Sequence, residues 1–111
     1  MSVLIATNLL VDYLRGSGAA AQLIEAHPHR SISVLTWLEV MAQAPPARRE
    51  ATRAFLRSFE RLSINEAIAD EALRLRERHA GLDSHAALNL ATARMNRLQY
   101  VGGDQVDDQD G

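Results

Sequence analysis

The stretch Ser2 to Gly16, SVLIATNLLVDYLRG, restricts what this chain can fold into more than any other. Val3, Leu4 and Ile5 form an unbroken apolar run; Thr7 and Asn8 follow with turn and N-cap chemistry, and Leu9, Leu10, Tyr13 and Leu14 recur at helical spacing. The pattern predicts a buried strand passing directly into a helix. Continuous apolarity is what a strand covered by helices on both faces requires, and parallel sheets are covered in that way. Such sheets place their chemistry just beyond the C-terminal strand ends, here Ala6 to Asn8. The first residue at that place is an alanine.

The rest of the chain alternates in the same manner. Ala19 to Ala26 reads as a short helix closed by His27-Pro28-His29, and Ser31 to Val34 as a second strand. Thr36 is placed to cap a third helix, with Trp37, Leu38, Val40 and Met41 turned inward and Pro45 and Pro46 ending it. Ala47 to Glu60 is an amphipathic helix with Ala51, Phe55 and Phe59 on one face and Arg49, Arg53 and Arg57 on the other. Leu62 to Ile64 reads as a strand, and Ser63 with Glu66 has capping-box spacing for a helix running to His79. After Gly81, Ser84 is placed to cap a helix whose core, AALNLATA, is small enough to lie close on a sheet. Gln99 to Val101 is the last strand. The order is βααβααβααβ, a three-layer α/β fold built on a short parallel sheet flanked by helices. One domain is expected over residues 1–103, followed by a loose tail over 104–111.

That tail carries four of the fourteen acidic residues, which leaves a mildly basic body of twelve arginines against ten acids. No lysine and no cysteine occur, so a disulfide framework and thiolate metal ligands are excluded. No apolar run approaches membrane-spanning length. A cytoplasmic protein without a membrane segment is expected.

In a parallel sheet, residues just past the strand ends converge however far apart they are in sequence. Glu39, after the second strand, and Asp104, after the last, are the acids so placed. Carboxylates there can hold a hard cation that activates water for phosphodiester cleavage. Each has a plain alternative: Glu39 as a surface carboxylate, Asp104 as part of a solvated tail. Asp12 reads as exposed, Asp83 as a turn or N-cap residue, and the four histidines show no ligand spacing beyond His27 and His29.

These residues carry a resemblance. LIATNLLVDYLRG resembles the opening of the PIN-domain nucleases, especially the VapC-like toxins of bacterial toxin-antitoxin pairs, in which the strand is followed by Asp-Thr-Asn. TWLEVMAQ is similar to the second block of the family, LDSHAALNLATARMNRLQYV to the third, and VGGDQVDD to the fourth. The resemblance implies Mg²⁺ or Mn²⁺ as cofactor, Glu39 and Asp104 as metal ligands and catalytic acids, and Asp107 as an auxiliary acid. Thr7 and Asn8 read as helix-capping residues, with orientation of a ligand or phosphate as the alternative. The resemblance further implies cleavage of RNA, including transfer RNA loops, a cognate antitoxin and a homodimer.

Departures stand beside the matches. Ala6 occupies the first acid position and Ala86 the third, where Ala86-Ala87-Leu88 replaces Asp-Ala-Leu. Gly102 and Gly103 precede the fourth acid in place of the expected Thr and its neighbour. The family's final short helix and edge strand have no counterpart segment. Two readings follow: a metal-dependent endoribonuclease toxin with a depleted acidic site, or a catalytically inactive protein of the same fold that binds RNA or antitoxin. A phospho-acceptor domain is also doubly wound, but it resembles a family that needs a lysine after its last strand.

Overall fold

The computed structural model describes residues 2–103, 105 and 106. Its elements follow the order β1 (Val3–Ile5), α1 (Thr7–Leu14), α2 (Gly18–Glu25), β2 (Arg30–Ser33), α3 (Val34–Gln43), a 3₁₀ turn (Pro46–Arg48), α4 (Arg49–Leu56), β3 (Glu60–Leu62), α5 (Glu66–Arg78), α6 (Ser84–Met95) and β4 (Gln99–Val101). All strand pairs are parallel and the sheet order is β3-β2-β1-β4, which puts β1 at the centre and β4 at an edge.

The two-residue period of a strand divides β1 between two cores. Val3 and Ile5 pack with Ile32, Leu9, Leu10, Ile24, Val40 and Leu56 beneath α1–α4. Leu4 and Ala6 pack on the other face with Ile68 and Leu75 of α5 and with Ala87, Leu90 and Ala91 of α6. Leu4, Leu10, Ile24 and Ile32 are fully enclosed, and each such side chain stabilises the fold by about 1.5–3 kcal/mol relative to exposure. Tyr13 stacks on Phe55 at 4.9 Å and Phe55 meets Phe59 edge-on at 5.3 Å, tying α1 to α4. Across the sheet, Glu71 of α5 bonds Arg74 at 3.0 Å and lies 4.0 Å from Arg94 of α6. Among the described residues no helix is long and apolar enough to cross a membrane.

Element order agrees with the sequence reading, but several local assignments change. Ala6, not Thr7 or Asn8, occupies the N-cap of α1 and makes no side-chain cap bond; Thr7 is the first helical residue and turns inward. Ser33 rather than Thr36 caps α3, accepting from the Thr36 N–H at 3.1 Å. Asn65 rather than Ser63 caps α5, and Asp83 rather than Ser84 caps α6. In each pair both residues have capping chemistry, and the cap falls to the one at which the backbone leaves the extended region. The expected helix 47–60 ends at Leu56, because Glu60–Leu62 pairs with β2 and claims the chain for the sheet. Thr52 and Leu56 are its buried residues, and Ala51 is exposed. Leu38, expected inward, is 56% exposed.

Candidate functional site

Because the strands all run one way, the ends of β1, β2 and β4 open on the same edge of the sheet. An open depression of about 310 Å³ lies there. Its wall is formed by Ala6, Thr7 and Asn8 after β1, Glu39 and Gln43 of α3, Asp83, His85 and Ala86 at the start of α6, and Tyr100, Gly102 and Gly103 at the end of β4. Residues 6, 7, 8, 39 and 86, widely spaced in the chain, thus share one wall. Asp104 and Asp107 lie outside the described residues.

The floor is polar and buried. Thr7 Oγ1 lies 2.8 Å from Thr36 Oγ1 and 2.9 Å from His85 Nε2. Asn89, wholly enclosed on α6, accepts from the Ser33 hydroxyl and donates through Nδ2 to Thr36 Oγ1 at 3.2 Å, with His85 Nε2 at 3.3 Å. Facing an amide N–H, Nε2 accepts in the tautomer that has its proton on Nδ1. The network fastens α1, α3 and α6 together beneath the depression. Hydroxyls and an amide inside an α/β core are costly unless every partner is supplied, and here each has one.

Above this floor the acids are few. Glu39, half-buried in the second turn of α3, has no hydrogen bond or ion pair among the described residues. Asp83 is committed to its cap, accepting from the Ala86 N–H at 2.8 Å. Ala6 and Ala86 present methyl groups, and both belong to the α5–α6 core. The two glycines are explained by space. Gly102 has φ +86°, and a Cβ there would meet Leu9 Cβ at 2.7 Å; a Cβ on Gly103 would overlap the Tyr100 ring. Threonine does not fit that turn.

The PIN domain family model matches residues 3–105, nearly the whole described chain. The chain belongs to the PIN-domain family. A chain of a toxin-antitoxin complex from Klebsiella pneumoniae is 36% identical to this PIN domain, with TM-score 0.82 over 88% of this chain and 82% of that one. VapBC2 from Rickettsia felis bound to a promoter DNA fragment aligns with TM-score 0.71 at 14% identity, covering 90% of this chain and 85% of that one. FitAcB from Neisseria gonorrhoeae aligns with TM-score 0.74 at 17% identity over 90% and 85%. These last two share the fold. A search of curated proteins found no match.

PIN nucleases use divalent metals, and the donors of this PIN domain can be tested against that need. A hard cation takes several oxygen ligands. Among the described residues no group of three or more His, Asp or Glu could hold one. Glu39 offers one carboxylate, Asp83 is spent on its cap and His85 directs Nε2 into the polar floor. The described donor set does not fit a divalent cation.

Sequence reasoning misses the importance of His85 and Asn89. His85 is one of four histidines without ligand spacing, yet it immediately precedes position 86 in the third block. That adjacency to an expected acid is the available signal. Asn89 has none, because the local sequence carries no record of the hydroxyls that lie opposite it across the packed helices.

Proposed function

We propose that this PIN domain is the toxin-side member of a toxin-antitoxin pair, built to receive RNA over the depression, and that it hydrolyses RNA far more slowly than the same chain with carboxylates at positions 6 and 86. The observation that carries the proposal is the shared wall of Ala6, Glu39 and Ala86. Phosphodiester cleavage in this family needs converging acids, and two of the converging positions here carry only methyl groups. Glu39 alone supplies neither the charge nor the coordination that the reaction requires. Asp104 and Asp107 are the remaining acids offered for the site.

The antitoxin is the protein partner of this reading. A groove of about 400 Å³ between α1, α3 and α4, in which Val11, Leu14, Val40, Ala44, Pro45 and Ala51 are flanked by Arg15, Gln43, Arg48 and Thr52, has the form that accepts an amphipathic helix. The Klebsiella toxin-antitoxin likeness supports that choice of partner. A homodimer belongs to the same reading.

The test is digestion of bulk bacterial RNA with Mg²⁺ or Mn²⁺, comparing this chain with the Ala6→Asp/Ala86→Asp variant. Cutting by the variant alone, stopped by EDTA and by a further Glu39→Gln change, is the expected result. Equal cutting by both chains refutes the depleted site. Absence of cutting by both, with the variant folded, refutes the nuclease site itself.

A further inference from the structure

A second feature lies on the far side of α3. Residues two apart on a helix project about 200° apart, so α3 turns Glu39 to the depression and Trp37 to a separate concavity of about 420 Å³ between α3, α4 and β3. That concavity is rich in arginine and aromatic side chains. The Arg61 guanidinium sits 4.6 Å from the centre of the Trp37 ring, and Arg53 sits 5.8 Å from it. Leu56, Arg57 and the buried Phe59 complete the wall. Behind Phe59, Arg30 stacks on the ring at 4.7 Å, with its Nε buried and without a hydrogen-bond partner.

The charge there is not neutralised. Arg53 lies 3.8 Å from Glu50, whose side chain is 87% exposed, and this is the only ion pair at the concavity among the described residues. A pair so exposed holds little. The nearest acid in sequence, Glu60, is directed away by the sheet register. Arg61 pairs with Ile32, whose side chain lies in the α1–α4 core, while Leu62, on the same strand face as Glu60, packs in the opposite core. A guanidinium laid on an aromatic face is held flat, with its N–H edges free to fork onto phosphate oxygens.

We infer that this concavity is a binding site for the phosphodiester backbone of single-stranded RNA, distinct from the depression. It takes phosphates on Arg53, Arg57 and Arg61, and the half-buried Trp37 offers ring surface to a flanking base, while Phe59 is enclosed. A strand held there is led across α3 towards Glu39. RNA is favoured over an acidic peptide because forked donors mounted on aromatic rings suit phosphate and base together, whereas a carboxylate uses only the donors. The inference takes its choice of polyanion from the proposed function, but it requires no hydrolysis.

Trp37 is the chain's only tryptophan and reports the site directly. The experiment titrates this chain with an oligouridylate in EDTA, reading Trp37 emission and the anisotropy of a labelled oligonucleotide at several salt concentrations. Expected is a saturable change in emission, with affinity falling about tenfold or more in Arg57→Ala/Arg61→Ala and the log–log salt slope shrinking by about 0.7 for each phosphate no longer neutralised. Arg57 and Arg61 are exposed, so the variant keeps its core, and Arg57→Lys/Arg61→Lys should recover part of the affinity. Arg78→Ala, on the exposed C-terminal turn of α5, should bind as the parent does. No saturable emission change, or affinity within about twofold of the parent in the double alanine variant, overturns the site. Binding of polyglutamate in preference to the oligonucleotide overturns the choice of RNA. Because EDTA abolishes metal-dependent cleavage, failure of the nuclease reading leaves this result readable by itself.

Discussion

Thr7 and His85, 78 residues apart in the chain, meet at 2.9 Å between Oγ1 and Nε2. The contact joins the first turn of α1 to the first turn of α6 across the end of the sheet. Thr7→Val keeps the shape and removes the hydroxyl. Thr36 retains Ser33 and Asn89 as partners and His85 retains Asn89, so the expected loss is about 1 kcal/mol. Urea denaturation followed by circular dichroism measures it, and an unchanged midpoint would show that the bond contributes nothing.

Asn89→Leu should cost more. It removes a partner from the Ser33 and Thr36 hydroxyls and from His85 Nε2 at once, leaving them only Thr7, the Thr36 N–H and one another, a penalty of about 2–3 kcal/mol beyond any gain from apolar burial. The same denaturation series ranks the two variants, and a smaller loss than for Thr7→Val would contradict the central place of Asn89 in the network.

At Gly102 the turn admits no side chain. Gly102→Ala must abandon φ +86° or displace Leu9 from the core, and a loss of about 2 kcal/mol or more is expected. Thermal unfolding monitors it. Arg97, by contrast, holds φ +56° just past α6 without being glycine; Arg97→Gly should raise stability by about 0.5–1 kcal/mol, and a lowered melting temperature would refute that account.

Metal response separates the present chain from its acid-bearing variant. Ala6 is 2% exposed and Ala86 9%, so placing carboxylates at both without a cation costs about 3 kcal/mol or more. Ala6→Asp/Ala86→Asp should melt below the parent in EDTA and recover on adding Mn²⁺, while the parent hardly responds. Differential scanning calorimetry with and without metal decides it, and a clear Mn²⁺ shift in the parent would mean that the residues present suffice for a site.

Alternation of elements was legible because burial leaves long, contiguous marks. Val3 to Ile5 is apolar without interruption since both faces of β1 are covered, and the small residues of Ala86 to Ala93 record how closely α6 lies on the sheet. Caps were less legible. Ser33 and Thr36, Ser63 and Asn65, or Asp83 and Ser84 have equivalent local chemistry, and the choice within each pair depends on where the strand or turn releases the backbone. The charged and apolar faces of residues 47–60 shifted for a similar reason, once pairing of Arg61 with Ile32 ended the helix early.

By itself the sequence determined the layers, the strand order along the chain and the places where acids are expected but methyl groups stand. The layers and strand order follow from local hydrophobic period, and the expected acid positions follow from the resemblance to the PIN-domain blocks. Tertiary structure alone decided that Thr7 faces His85 rather than capping α1, and that Asn89 is enclosed. It also decided that Arg53 and Arg57, read from the sequence as one helix face with Arg49, are joined around Trp37 and Phe59 by Arg30 and Arg61 from the strands. A side chain's partner is set by the element packed against it, and the period of one helix or strand carries no record of that neighbour.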